Sequence, residues 1–392
     1  MINVLHLTSS FGLSGGAETN LLRLVCNMDR TRFRNTVVTM TNVIPQRDPG
    51  LLQSRLVKAE VPVYSLGMRR GVPSPLAAAR FFRIVRKVRP HILQTWMYHA
   101  DLLGLLVGKL AGVSAIAWNI RCSSMEMAHY RRMSTIVLRA LVPLSGLPHV
   151  VLANSQCGIQ VHKELGYTPR RWLYIPNSLD LDEFRPDRCA KAQFRCELGL
   201  RPDTRLIGLI ARFDPMKDHA NFIAAASVLA ADDPSLHFVL AGIGIDSNNR
   251  ELMRLVESTG LPHRFHLLGQ RHDVGRITAA LDIACSSSAF GEGSSNAVAE
   301  AMACGVPCVV TDVGDSAFIV QNTGKIVPPK DTQAFAQACG ELLNLSPAQR
   351  HERGLAARAR VEEFFSLHSV VDRYQGLYEQ LAPAPQGFGN GA

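Results

Sequence analysis

No CxxC pair occurs anywhere in the sequence, although it holds nine cysteines. The shortest separations, Cys304 to Cys308 and Cys189 to Cys196, lack the flanking histidines a zinc site uses. That leaves reduced thiols in a cytosolic setting as the expectation, with no metal. A secretory leader is also missing: "MINVLHLTSS" has no basic stretch and reads directly as a strand, so a cytoplasmic protein is expected. The longest apolar run, Leu102 to Trp118, is interrupted by Lys109 and by glycines, which argues against a membrane span. The GxGxxG fingerprint, the GKS or GKT ending of a P-loop, HExxH and a Ser-His-Asp order are all absent. Dinucleotide, P-loop and common hydrolase templates therefore gain no support. No zinc-finger or RNP signature appears either, and no nucleic-acid partner is expected.

What is present is a chain of 392 residues, 47% hydrophobic and 19% charged, long enough for two folded domains. Its net charge of +9 is unevenly spread. Met1 to Ile175 carries 22 basic against 7 acidic residues, a balance of +15, and the remainder holds 20 against 26, or −6. A basic half of this kind suits a polyanion, an anionic bilayer or a phosphorylated lipid.

Short apolar runs alternate with longer amphipathic ones, the βαβ pattern of a parallel sheet covered on both faces. Strands are expected at "INVLHL", "NTVVTM", "VPVYSL", "HILQTW", "SAIAWNI" and "HVVLANS" in the first half. The pattern breaks at "YIPNSLDLDEFRPD", Tyr174 to Asp187, and restarts with "RLIGLIARF", followed by "HFVLAG", "FHLLG", "IACSSS", "CVVTDV" and "KIVPP". Two consecutive doubly wound α/β domains follow from this alternation, with ligands expected at the carboxyl ends of the strands. The expected division is 1–178, a linker over 179–200, a second domain over 201–365, a terminal helix over 366–382 and a disordered tail over 383–392.

The stretch "SSSAFGEGSSNAVAEAMACGVPCVVTDV", Ser286 to Val313, is the most informative. A strand ends in serines, Glu292 sits between Gly291 and Gly293, and a helix starts near Ser294, Ser295 and Asn296, where a hydroxyl or amide can cap it. The amides from Ser294 to Ala297 form an anion site at a helix N-terminus. Glu292 and Glu300, eight residues apart, make sense beside an anion only as acceptors of hydrogen bonds from hydroxyls, such as those of a sugar or ribose. A capping acid and a helix-surface acid are the plainer alternative. Arg212 and Lys217 follow the "LIGLIA" strand and can neutralise a diphosphate. Gly242 and Gly244 in "LAGIGID" mark another strand-end loop. In the first half, Gly15 and Gly16 form a glycine turn between a strand and a helix, consistent with an anion contact or with a plain tight turn. His99 follows the "HILQTW" strand, in a position that fits a catalytic or a structural histidine.

Together these residues resemble the GT-B glycosyltransferases of the large retaining family 4, over nearly the whole chain. The E-x7-E element is matched by Glu292 and Glu300, the basic pair by Arg212 and Lys217, the N-terminal glycine loop by "SGGAE" and the N-domain histidine by His99. The resemblance implies two Rossmann-like domains facing a cleft, with a C-terminal helix crossing back to the first. It also implies a nucleotide-diphosphate sugar as donor substrate and no separate cofactor. Arg212 and Lys217 would hold the diphosphate, with help from Ser294 to Ala297, Gly16 and the glycine loops. Glu300 would bind the ribose, and Glu292 and His99 would contact the transferred sugar. The family transfers with retention and without a metal, usually by a front-face route in which the leaving diphosphate takes the acceptor's proton. No DxD element occurs in a strand-end loop here.

The sequence departs from the family pattern at several places. "AR" replaces "GR" before Arg212, Ile243 stands where an acid is common, Ser295 replaces a proline, and Gln94 and Trp96 replace histidines. The resemblance further implies a saccharide or lipid-linked acceptor in surface-polysaccharide, lipopolysaccharide or glycolipid assembly. The basic half would then meet that acceptor, with "ARFFRIVRKVRP" and the segment bearing Arg131, Arg132 and Arg139 against anionic headgroups at the inner face of a membrane. Those arginines fit equally a solvated face of helices packed on the sheet. A nucleotide-sugar 2-epimerase of the same fold and a non-catalytic nucleotide-sugar-binding protein are the alternative functions.

Overall fold

The computed structural model describes residues 1–10, 16–41, 55–69, 72–121 and 132–383. The chain divides into two compact units, one of Met1–Ser178 with the C-terminal helix Leu367–Leu381, the other of Leu179–Ser366.

In the first unit seven parallel strands form one sheet: β1 (Ile2–Thr8), β2 (Phe33–Thr39), β3 (Val63–Ser65), β4 (Ile92–Trp96), β5 (Ala115–Ile120), β6 (Val150–Ala153) and β7 (Trp172–Tyr174). Their order is β3-β2-β1-β4-β5-β6-β7, so the winding reverses between β1 and β4, where Val4 lies opposite Ile92 and Thr8 opposite Trp96. Every residue of β4, β5 and β6 is buried, the polar Gln94, Thr95 and Asn119 included, as expected when helices cover both faces of the sheet. The helix Pro75–Val88 shows how local sequence sets such an element. Ser74 caps it by accepting the Ala77 N–H, Pro75 occupies its first turn, and Ala77, Phe81 and Val85 form the buried stripe. The helix stops at Arg89, in a left-handed conformation before Pro90.

One face of this sheet packs on Leu21, Leu24 and Val25 of the helix Gly16–Asn27, and on Val370, Tyr374, Leu377 and Tyr378 of the C-terminal helix. Hydrogen bonds also fix the latter, among them Asn119 Nδ2 donating to the Tyr374 hydroxyl at 2.9 Å and the Tyr378 hydroxyl donating to Gln94 Oε1 at 3.2 Å. The other face packs on Phe81, Val85, Leu105, Leu138 and Leu141. Strand β7 was not expected from the sequence. It is three residues long, pairs with the edge of β6, and lies just before the proline-rich break, where no apolar run announces it.

The second unit holds six parallel strands: β8 (Arg205–Ile210), β9 (Leu236–Ala241), β10 (Phe265–Leu267), β11 (Ile283–Ser286), β12 (Cys308–Thr311) and β13 (Lys325–Val327), in the order β10-β9-β8-β11-β12-β13. The winding reverses between β8 and β11. Residues 179–200 lie within this unit. Asp187 caps the helix Arg188–Glu197 by accepting the N–H groups of Cys189 and Ala190, and Ala190 and Phe194 are fully buried in the unit's core. Arg195 on the same helix is buried too, donating to Asp282 Oδ2 at 2.7 Å and to the Thr204 carbonyl at 2.7 Å. At the far end, helix Pro347–Phe365 breaks at Ser366, as the sequence pattern indicates. The tail from 384 onward lies outside the described residues.

Candidate active site

Because β8, β11 and β12 are neighbours, their carboxyl-end loops are neighbours as well, and the strongest sequence motifs fall in them. After β8 the chain runs through Ala211 and Arg212 to Asp214. Asp214 accepts the Met216 N–H at 2.9 Å and so starts the short turn Pro215–Lys217. Asp218 then takes a left-handed conformation and caps the helix His219–Asp232 by accepting the Asn221 N–H. Arg212 is half-exposed, its Nε donating to Asp214 Oδ2 at 3.0 Å. Burial pushes the Asp214 carboxyl up, but the Met216 N–H and the Arg212 guanidinium outweigh it, so the acid titrates below its ordinary range.

After β11, Ser287 Oγ donates to the Lys217 carbonyl at 2.8 Å and the Ala289 N–H donates to the Met216 carbonyl at 2.9 Å, stitching this loop to the one after β8. At that seam Lys217 Nζ forms an ion pair with Glu292 Oε2, and Ser288 Oγ donates to the same oxygen at 2.8 Å. The lysine side chain is 15% exposed and the glutamate 8%, so both charges are largely withdrawn from water and each is the other's compensation. The sequence reading sent Lys217 to a diphosphate and Glu292 to a sugar. Here the two are joined in an ion pair.

Two glycines make this packing possible. Gly314, after β12, has φ +61°, and a Cβ there would lie 2.0 Å from the Glu292 carbonyl oxygen. The Asp315 N–H beside it donates to the Gly293 carbonyl at 2.9 Å. Gly242, after β9, has φ +152°, and a Cβ would stand 2.1 Å from the Ala211 carbonyl oxygen. Gly242 thus lets the loops after β8 and β9 close on each other, with the Phe213 N–H donating to the Ile243 carbonyl at 2.8 Å.

Beyond Gly291, Glu292 and Gly293 the helix Asn296–Ala303 begins. Ser295 holds the N-cap position and its side chain makes no capping bond, although the sequence allows a hydroxyl or an amide cap there. Ser294 and Ala297 are half-buried at this N-terminus, and Glu300 is half-buried in the second turn. The structure thus brings together Arg212, Lys217, Gly242, Gly291–Ala297 and Glu300. It places Gly16 and His99 in the other unit, Gly16 as the first residue of the helix after β1 and His99 as the second residue of the helix Tyr98–Leu110 after β4. Gly15 and Arg131 lie outside the described residues. Ser288, Asp214 and Gly314 were not singled out in the sequence. Ser288 was hidden in a run of serines, and Gly314 acts only through a contact with a loop distant in sequence. Among the described residues no group of three or more His, Cys, Asp or Glu side chains is placed to hold a metal ion.

Residues 204–345 match the family model for glycosyl transferases group 1, and residues 14–183 match that for glycosyltransferase family 4. A UDP-Gal:alpha-D-GlcNAc-diphosphoundecaprenol alpha-1,3-galactosyltransferase of Escherichia coli is 24% identical over 309 residues, spanning 76% of this chain and 77% of that protein. A D-inositol 3-phosphate glycosyltransferase of Geodermatophilus obscurus is 30% identical over 243 residues, 58% of this chain and 52% of its own length. Among solved structures, Anabaena HepE in complex with UDP aligns with a TM-score of 0.82 at 21% identity, over 97% of this chain and 100% of that one.

Proposed function

The chain belongs to the group 1, family 4 glycosyltransferases and has their GT-B fold, and we propose that it is a retaining, metal-independent enzyme using a nucleotide-diphosphate sugar. The observation that carries this reading is the Lys217–Glu292 pair, with Arg212 beside it, at the switch point of the second sheet. Arg212 offers its guanidinium to the donor diphosphate, and the N-terminus of helix Asn296–Ala303 adds the positive end of its dipole. An incoming diphosphate competes with Glu292 for Lys217. Glu292, released from its ion pair, accepts hydrogen bonds from the sugar hydroxyls near the reacting carbon, while Glu300 takes those of the ribose. We propose that Gly16 contacts the diphosphate and His99 the sugar as well.

The reaction then needs no enzymic base. The bond from the anomeric carbon to the diphosphate oxygen breaks, the acceptor oxygen bonds to the same face, and the acceptor's proton passes to the departing diphosphate. Stabilising the charge that develops on that diphosphate is the main catalytic device. A saccharide carried on a lipid is the acceptor we propose, in keeping with the acceptor in the E. coli relative's name and with the basic first unit. This places the enzyme in surface-polysaccharide or glycolipid assembly, working from the cytoplasm against an anionic membrane face. No helix among the described residues is long and apolar enough to cross a membrane. A thermal-shift panel of nucleoside diphosphates and nucleotide-sugars tests the donor class, because a ligand bound only by the native state raises its stability by mass action. NMR of the first product tests the stereochemistry: retention of the anomeric configuration is expected, and inversion would refute the route.

A further inference from the structure

At the carboxyl end of β5, in the first unit, stands a cation with no counter-ion among the described residues. Arg121 follows Ile120 directly, and its guanidinium lies over the Trp96 ring, 4.6 Å from the centroid. Its Nη1 donates to Asn177 Oδ1 and its Nη2 to the Tyr374 hydroxyl at 3.2 Å, both neutral acceptors. Its Nε is buried and has no hydrogen-bond partner. No carboxylate pairs with it among the described residues. A guanidinium carries five N–H donors in one plane, so only two are in use. Burial lowers the pKa of this group, the signature of a charge whose surroundings do not repay its lost hydration. Arg195 in the second unit is the useful contrast, since it is buried and paired with Asp282.

The platform under Arg121 is fixed on every side. Trp96 stacks on Tyr374, with centroids 6.3 Å apart and planes 24° from parallel, and its indole N–H donates to His6 Nδ1 at 3.3 Å. Trp96 is one of the positions where this sequence departs from the family's histidines. The departure supplies a flat face that holds a guanidinium plane in place. A fork held this way, with donors to spare, matches the oxygens of a phosphoryl group.

We propose that Arg121, seated on Trp96, is a phosphoryl-binding subsite that takes the phosphate or diphosphate of the acceptor. The acceptor's identity rests on the function proposed above, whereas the anion subsite does not, and two assays separate them. The first is thermal melting of the full chain carrying Arg212→Ala and Lys217→Ala, with pyrophosphate titrated at constant ionic strength. A saturable rise in melting temperature is expected, its midpoint shifted at least tenfold by Arg121→Gln and by Arg121→Lys. The lysine variant keeps the charge should the glutamine variant fold poorly. No rise, the same rise in both variants, or an equal rise with acetate would overturn the subsite.

The second assay is transfer by the otherwise unaltered chain. Arg121→Lys should raise KM for a diphosphate-linked saccharide acceptor at least tenfold, leaving KM for the donor and for an unphosphorylated saccharide unchanged. A purely structural role would instead lower kcat for both acceptors alike, and Arg121-dependent pyrophosphate binding with an unchanged acceptor KM would overturn the assignment to the acceptor. A chain that transfers to no acceptor would count against the proposed function, and the melting assay would still decide the subsite.

Discussion

At the switch point of the second sheet, the loops after β8 and β11 are tied together by Lys217 and Glu292, with Arg212 half-exposed beside them. At the equivalent point of the first sheet, β1 and β4 carry His6, Gln94 and Trp96, packed on Tyr374 and Tyr378 of the C-terminal helix, with the Arg121 guanidinium over the Trp96 ring. The two sheets wind alike, each reversing once at its centre, yet their strand ends carry different chemistry. One presents a paired cation and anion. The other presents neutral rings and an arginine with no carboxylate partner among the described residues. Topology chooses where a ligand is received, and the residues after each strand choose which ligand.

The comparison can be broken at several points. The largest effect is expected from Glu292→Ala, which should lower turnover about 10²- to 10³-fold, the scale of losing one group that stabilises the transition state. Affinity for a bare nucleoside diphosphate should stay within about threefold, because Lys217 remains and loses a competitor. Full transfer activity in that variant would remove the sugar-contact role. Next comes Gly314→Ala, whose methyl group would collide with the Glu292 carbonyl. A cost of about 2 kcal/mol is expected, with the melting temperature lower by roughly 4–8 °C. Unchanged melting and turnover would show that the close packing of these loops is dispensable.

A smaller, pH-dependent effect follows from His219, next to Asp218 at the edge of the same loop. Burial pulls its imidazole down to about 4. Between pH 6.5 and 4 the unfolded chain binds a proton there that the native state refuses, so stability falls as the pH drops through that window. At pH 5 this amounts to about 2 kcal/mol. His219→Phe should therefore lose less melting temperature than the wild type between pH 7 and pH 5, and an equal loss would mean the histidine is not the source. The smallest effect concerns the basic first unit. Charge reversal at Arg131 and Arg132 should weaken pelleting with anionic liposomes, and indifference of the wild type to such liposomes would end the membrane proposal.

Much of the architecture was legible because buried parallel strands must be continuous apolar runs, and twelve such runs punctuate this sequence. Strand β7 was not, since three residues on an edge leave no periodic signal. The helix Arg188–Glu197 read as linker because its composition is polar, and only the packing of Phe194 and Ala190 reveals it as core. In the candidate site, residue type and spacing single out Arg212, Lys217, Glu292 and Glu300, and the structure places Arg212, Lys217 and Glu292 in two adjoining loops and Glu300 on the helix that follows. The Lys217–Glu292 pairing was not legible, because it joins residues 75 positions apart through a seam between two loops. The need for glycine at position 314 was equally invisible, being set by a carbonyl oxygen elsewhere in the chain.

The central claim is that the paired cations after β8 receive a nucleotide diphosphate. Calorimetric titration of nucleoside diphosphates into the wild type and into the Arg212→Ala, Lys217→Ala variant tests it most directly. The wild type should bind at least one of them with a Kd in the micromolar range, about −8 kcal/mol, and the variant should bind none measurably. Equal affinity in the two proteins, for every nucleoside diphosphate that binds, would contradict the placement of the phosphate site.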